Sequence, residues 1–458
     1  MTKNNTLSIL ALAISGALLG GCGDAETNII EKDPIVDDHD HDGGGEHDHD
    51  DLTIESAGRL AILNADANAL VIVDLDDNQE LDTFPLASEG NTLTHSGGYR
   101  YVVVSNRATG EVTFIDGGLW REDHVDHLHD YEQVPATSDL TLTGSRPTHL
   151  VKHDGQLAVF YDGDSDAGLP ASVQVVSDTH IAAESSAIPT LAYTVNMHGV
   201  AEPMDDYLIA TVRRDDAEST SANTILPDSV GVFHLHDDEY EEEVVFAGEC
   251  PDLHGAASSE TYSVFGCSDG VLIVHQHDGE WESSKIDNTD SLSSVRVGSV
   301  YGHHHGDYFI GVASGHGGGE ATLVTIDPET NSMRDVALEL GDDAVPVSYA
   351  FSYSGEYFVV LDSSGRLTAL HSHGEGDAQH WDTEVSLAVT SGSAADMPDG
   401  LSFTMAVSGN SDHVYISNPI DKTMVRVDLD SGVIDGEVSL DYLAETVIWL
   451  GIAETEHE

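Results

Sequence analysis

From Gly58 to the C-terminus the chain alternates short apolar runs with turns rich in Gly, Asp, Asn and Ser, the texture of β-strands joined by tight loops. Few segments keep apolar residues at helical spacing. The runs also repeat. Arg100–Asn106, Gln156–Asp162, Asp206–Ala210, Asp307–Val312, Glu356–Val360 and Asp412–Ile416 follow one pattern. A turn and a second strand come after each, as in Leu70–Asp74 and Met424–Asp428. Central strands starting near Leu60, Tyr101, Leu157, Tyr207, Tyr262, Tyr308, Tyr357 and His413 make eight units. Their spacing, roughly 40 to 56 residues, is that of propeller blades. The pattern predicts an all-β chain folded as a single β-propeller with eight blades. Seven blades are the alternative, and a two-domain β-sandwich the third option. The first unit has no inner strand before it, whereas Glu445–Gly451 is a surplus strand at the far end. That strand is expected to close the ring and hide the sheet edges.

Ahead of the propeller (residues 58–458) lie two segments of other character. Residues 1–22 carry Lys3, an apolar stretch from Leu7 to Leu19, and Leu19-Gly20-Gly21-Cys22. The stretch is too short to be a comfortable membrane span, and it reads as a lipoprotein signal peptide with a lipobox. Cys22 is then the lipidated first residue of a mature chain anchored on the periplasmic side of a bacterial membrane; an ordinary secretion signal would make the chain soluble there. Residues 23–57 form a tether of low hydrophobicity, glycine and like charge, expected to be disordered. It holds His39-Asp40-His41-Asp42 and His47-Asp48-His49-Asp50, auxiliary metal ligands on a flexible strand.

Charge narrows the range of partners. There are 83 acidic and 16 basic side chains, a formal net charge of -67. Nucleic acid is excluded because its phosphates would be repelled, whereas cations are attracted. An acidic surface of the halophilic type accounts for the carboxylates but not for the 26 histidines. Glu122–Asp130 packs three imidazoles and four carboxylates into nine residues. Imidazole nitrogen and carboxylate oxygen suit a borderline ion such as Zn2+. His124, His127 and His129 are the first-choice ligands, with Asp126 as ligand or orienter.

The repeat frame sorts the other histidines by face. His95, His149, His198 and His254 fall near the starts of inner strands and form a competing ligand set at one mouth of the ring. His316 is assigned to the same face. The opposite face receives the 122–130 motif, His303-His304-His305, and the pairs His234/His236, His275/His277 and His371/His373 at the ends of third strands. Residues two apart on a strand share a face, so each pair is a weak two-ligand site. Cys250 and Cys267 come at the start of one inner strand and the end of the next, side by side as a disulfide requires. Thiolate ligation is the alternative.

Cys250-Pro251-Asp252-Leu253-His254-Gly255, Phe265-Gly266-Cys267-Ser268-Asp269-Gly270-Val271-Leu272, Arg146-Pro147-Thr148-His149-Leu150-Val151, Phe160-Tyr161-Asp162-Gly163, His198-Gly199-Val200-Ala201 and the 122–129 stretch resemble the signature of AztD-type periplasmic zinc metallochaperones. The resemblance implies a propeller that binds Zn2+ and delivers it to the solute-binding protein of a zinc ABC transporter. It implies no enzymatic activity. The lipobox and the acidity depart from that pattern. Two other classes remain open: a metal-dependent propeller hydrolase of lactonase type, and a non-catalytic binding propeller. A serine-nucleophile elbow, a haem-attachment motif and a phosphate loop are all absent from the sequence.

Overall fold

The computed structural model describes residues 29–35, 54–124, 127–213, 226–292, 295–314, 321–341, 343–374 and 379–453. Cys22, the tether histidines His39, His41, His47 and His49, and Asp126 and His316 lie outside the described residues.

The chain is a β-propeller built of four-stranded antiparallel units. Among the described residues six are separate sheets, and two more are joined through their outer strands, Thr190–Ala192 and Glu239–Phe246. The repeated apolar runs are the second strands: Arg59–Asn64, Tyr101–Asn106, Gln156–Tyr161, Tyr207–Val212, Tyr262–Cys267, Phe309–Ser314, Tyr357–Asp362 and His413–Asn418. Ala444–Leu450 pairs with Arg59–Asn64, Trp449 opposite Leu60, and supplies the first unit with its missing strand.

Why these runs are continuously apolar follows from the packing. Successive side chains of a strand point to opposite faces, and here both faces are covered. Leu60 and Ile62 pack with Tyr415 and Met424 of the last unit. Ala61 and Leu63, one residue out of phase, pack with Leu93, Val102 and Val104 of the second. Among the described residues the core is accordingly divided into eight clusters, each shared by two neighbouring units. First strands of adjacent units lie side by side around the central axis, as Pro147–His153, Ala201–Met204 and Ala256–Ser258 do.

Two features place functional side chains. Cys250 and Cys267 form a disulfide within the apolar cluster between the fourth and fifth units, which fixes the segment leading to His254. A hairpin, Leu119–Asp123 with Leu128–Glu132, is inserted between the third and fourth strands of the second unit. Arg59, 1% exposed, ties it down. Its guanidinium donates to the carbonyls of Gly117 and Gln133 and faces Glu132 and Asp74. Ile30–Glu31 adds a third strand to the hairpin, and Ile35 bridges Leu128. The N-terminal segment is thus fastened beside the histidine motif. No helix among the described residues is long and apolar enough to cross a membrane.

Candidate metal centre

In an antiparallel four-stranded unit, starts of first strands and ends of second strands share one face. That geometry gathers His149, His198 and His254. His149 lies in the first strand of the third unit, Pro147–His153; His198 and His254 immediately precede the first strands of the next two. Each offers one ligand atom, and the three atoms lie within 4.8 Å of one another. Nε2 of His149 and Nε2 of His198 are 3.2 Å apart.

The surroundings fix the tautomers. His198 Nδ1–H donates to Oδ2 of Asp162 at 3.2 Å, leaving Nε2 as the lone-pair nitrogen. A carboxylate behind a ligating imidazole orients the ring and raises its basicity. Asp162 follows directly on the second strand Gln156–Tyr161, where the face rule puts it. The same Oδ2 accepts from Nη2 of Arg107 at 3.0 Å. Burial works against the Asp162 carboxylate, yet these two donors hold it below the usual range. His254 Nδ1–H donates to the carbonyl of Gly298 at 2.8 Å. That carbonyl is free because a bulge between Val297 and Ser299 drops Gly298 from the ladder, the sort of local re-aiming that bulges provide. His254 thereby keeps Nε2 for a ligand.

Burial, then the neighbouring His198 and His254, push His149 down to about 4. Burial also lowers His254. These rings are neutral at pH 7 and ready to donate lone pairs. Three imidazole nitrogens, a set that gains no fourth ligand among the described residues, suit an ion that must be exchanged, since closed four-ligand sites serve structure.

The remaining candidates fall elsewhere. His95 was expected at the start of an inner strand, but the structure puts it at the end of one, Asn91–His95, on the opposite face. Its Nδ1–H donates to the Ser96 carbonyl, and its Nε2 accepts from Nζ of Lys152 at 2.8 Å. The lone pair is occupied by a cation that is already part of the protein. His124, His127 and His129 do cluster, with ring centroids 4.7 to 5.6 Å apart. Among the described residues they are not one of the sets that bring three donor atoms within 4.8 Å. His129 Nδ1 faces Glu31 and the Lys32 carbonyl, both at 3.3 Å, so the N-terminal strand reaches this cluster. The hairpin is a connection between third and fourth strands and therefore lies on the face opposite the three-histidine set.

Of the three surface pairs, His371/His373 gains a third donor from Glu384, which the sequence did not single out. His234/His236 and His275/His277 gain none among the described residues. A third set, His413 with Asp428 and Asp435, also went unpredicted; Arg426 already pairs with Asp435 through two contacts of 2.9 Å. Asp162 and Arg107 were missed as well. For Asp162 the signals were its end-of-second-strand position and its place in Phe160-Tyr161-Asp162-Gly163, which carries part of the resemblance but was not read as a site.

Comparison with known proteins bears on this geometry. No family model matches the chain. AztD of Citrobacter koseri, a zinc chaperone, is 23% identical over 401 residues, covering 86% of this chain and 87% of that protein. The chain is similar to a zinc chaperone. Two AztD structures superpose over 87% of this chain and 99% of theirs, with TM-scores of 0.68 and 0.67 and 22% identity, the latter for the apo form. A dihydro-heme d1 dehydrogenase, NirN, follows at a TM-score of 0.52 and 11% identity over 87% of this chain and 76% of its own. The AztD resemblance read from the motifs therefore extends along the whole propeller, and the solved structures show its fold.

Proposed function

We propose that this protein is a zinc chaperone, with His149, His198 and His254 as the tight site and Asp162 as the positioning residue behind His198. The observation that carries the reading is the convergence of three imidazoles on one point, two of them oriented by acceptors at Nδ1 that leave Nε2 for a ligand. The likeness to AztD supports zinc as the ion. In this reading the chain works on the periplasmic side of the membrane, anchored through Cys22, and hands zinc to the solute-binding protein of a zinc ABC transporter. His124, His127 and His129, with Asp126 and the tether residues His39, His41, His47 and His49, collect ions at lower affinity.

The test is zinc competition against a chelator of known affinity, run on the full chain. Changing His149, His198 and His254 to Ala abolishes sub-micromolar binding, whereas changing His124, His127 and His129 to Ala leaves it in place and slows loading. Equal retention in both triple variants would sink the assignment. Delivery is read by mixing the loaded chain with an apo solute-binding protein and counting zinc on each after separation. The anchor is read by the mass of the mature N-terminal peptide.

A further inference from the structure

The opposite mouth of the ring carries a second group of metal-binding side chains. His153 is the last residue of the strand that holds His149 near its start. Four residues of strand separate them by about 13 Å along the axis. His153 Nδ1–H donates to the Pro203 carbonyl at 3.1 Å. With the proton on Nδ1, Nε2 carries the lone pair; the backbone of Ser259 is a second hydrogen-bond partner of the ring. That Nε2 meets Nδ1 of His304 at 3.2 Å. His304 sits in the turn after the first strand of the sixth unit, Val297–Tyr301. The neighbouring ring of His305 lies with its centroid 4.5 Å from that of His304. Asp205, hydrogen-bonded to Asp154, lies within electrostatic reach of both His153 and His304.

We propose that His153 and His304 form a second binding site for a borderline divalent cation, with Asp205 supplying charge compensation. The site is distinct from the three-histidine centre and does not depend on the chaperone reading. Two imidazoles facing each other nitrogen to nitrogen are joined by one shared proton or by one shared cation. At 3.2 Å the nitrogens are about as far apart as those of His149 and His198. The hairpin bearing His124, His127 and His129 opens on this same face, so the second site lies on the side where the N-terminal segment is fastened.

The experiment is zinc binding to the full chain in four forms: parent, His153→Gln with His304→Gln, His149→Gln with His198→Gln and His254→Gln, and all five changes together. Bound zinc is counted after equilibration with a weak chelator, and zinc-edge anomalous maps are collected from parent crystals grown with the metal. One ion fewer is expected on the His153/His304 variant, in the parent and in the three-histidine background alike. An anomalous peak is expected about 2.1 Å from His153 Nε2 and His304 Nδ1. His304→Gln alone, in a partly buried turn outside the strands, keeps the result readable if the double variant folds poorly. Unchanged stoichiometry with no anomalous peak overturns the proposal and leaves a hydrogen-bonded histidine pair. Loss of zinc only in the three-histidine variant supports the chaperone site while rejecting this one; the converse result separates the two readings the other way.

Discussion

Asp162 offers a sharp test of the three-histidine centre. Asp162→Asn keeps the side chain's size and one oxygen that accepts from His198 Nδ1, but removes the negative charge. Loss of a partner behind a ligating histidine typically weakens metal binding 10- to 100-fold, about 1.4 to 2.7 kcal/mol. The upper half of that range applies here. Asp162 Oδ2 is bonded to both His198 and Arg107, so the substitution also leaves the Arg107 cation uncompensated beside the ion. Arg107→Gln is the opposing control. Its guanidinium side chain is 51% exposed, so the ion pair itself contributes at most about 1 kcal/mol, and removing a positive charge near a cation site leaves zinc affinity equal or tighter. Both are measured by chelator competition at pH 7.5 and fixed ionic strength, with urea midpoints confirming the fold. A change below threefold in Asp162→Asn, or equal weakening in both variants, would refute the carboxylate–histidine–metal arrangement.

Four further outcomes are expected. Replacing Cys250 and Cys267 together by Ser opens a loop of 17 residues, which the chain-entropy model values at about 3 kcal/mol; urea unfolding reads the loss, and zinc affinity falls with it because the bridge fixes the approach to His254. Stability of the metal-free protein falls as pH drops from 6.5 towards 4, because the unfolded chain takes up protons that buried His149 and His153, held near 4, refuse; each contributes up to about 3 kcal/mol, and His149→Gln flattens that part of the urea-midpoint profile. Glu202 runs the other way. Burial raises its carboxyl to about 8, with only Ser258 opposing, so its stabilisation is lost as pH climbs from 4.5 towards 8, and Glu202→Gln stabilises the protein at pH 8 by about 2 to 4 kcal/mol. Stopped-flow zinc association slows as salt rises from 0.01 to 0.5 M, since a net charge of -67 draws cations through a screened field; a salt-independent rate would remove the surface from the mechanism.

Much of the fold was legible in the chain because each second strand is buried on both faces, which writes it as an unbroken apolar run. Ala444–Leu450 was legible as a leftover strand with no sheet of its own. His149, His198 and His254 were legible because they occupy matching positions in successive repeats. What eluded the sequence depends on contacts between units. Asp162 meets His198 across 36 residues and His304 meets His153 across 151, distances over which a repeat frame gives the face but not the partner. His95 shows the frame's own weakness. Its strand, Asn-Thr-Leu-Thr-His, has a single fully buried apolar residue, Leu93, too little pattern to say at which end the histidine lies. The Glu122–Asp130 motif drew attention by density of ligands, yet density within one short hairpin spreads donors along a surface, whereas convergence needs residues from several strands.

That contrast bears on how a chaperone of the proposed kind would select its ion. A chain with 83 acidic side chains and a net charge of -67 concentrates every cation, hard ions included, and oxygen ligands favour calcium and magnesium. Carboxylate-rich clusters such as His413 with Asp428 and Asp435 cannot discriminate strongly against those ions. The three-histidine centre presents nitrogen only, and its carboxylate, Asp162, stands behind a ring instead of facing the ion. Imidazole suits zinc, copper and nickel and serves calcium poorly. On the proposed reading the charge of the surface would gather ions and the ligand type at the axis would sort them. Moving a carboxylate into direct contact, as in His149→Asp, is expected to erode discrimination against calcium before it erodes zinc binding itself, measured by zinc competition in 10 mM calcium. A variant that lost zinc while calcium still failed to compete would show that selectivity comes from geometry and not from the nitrogen ligands.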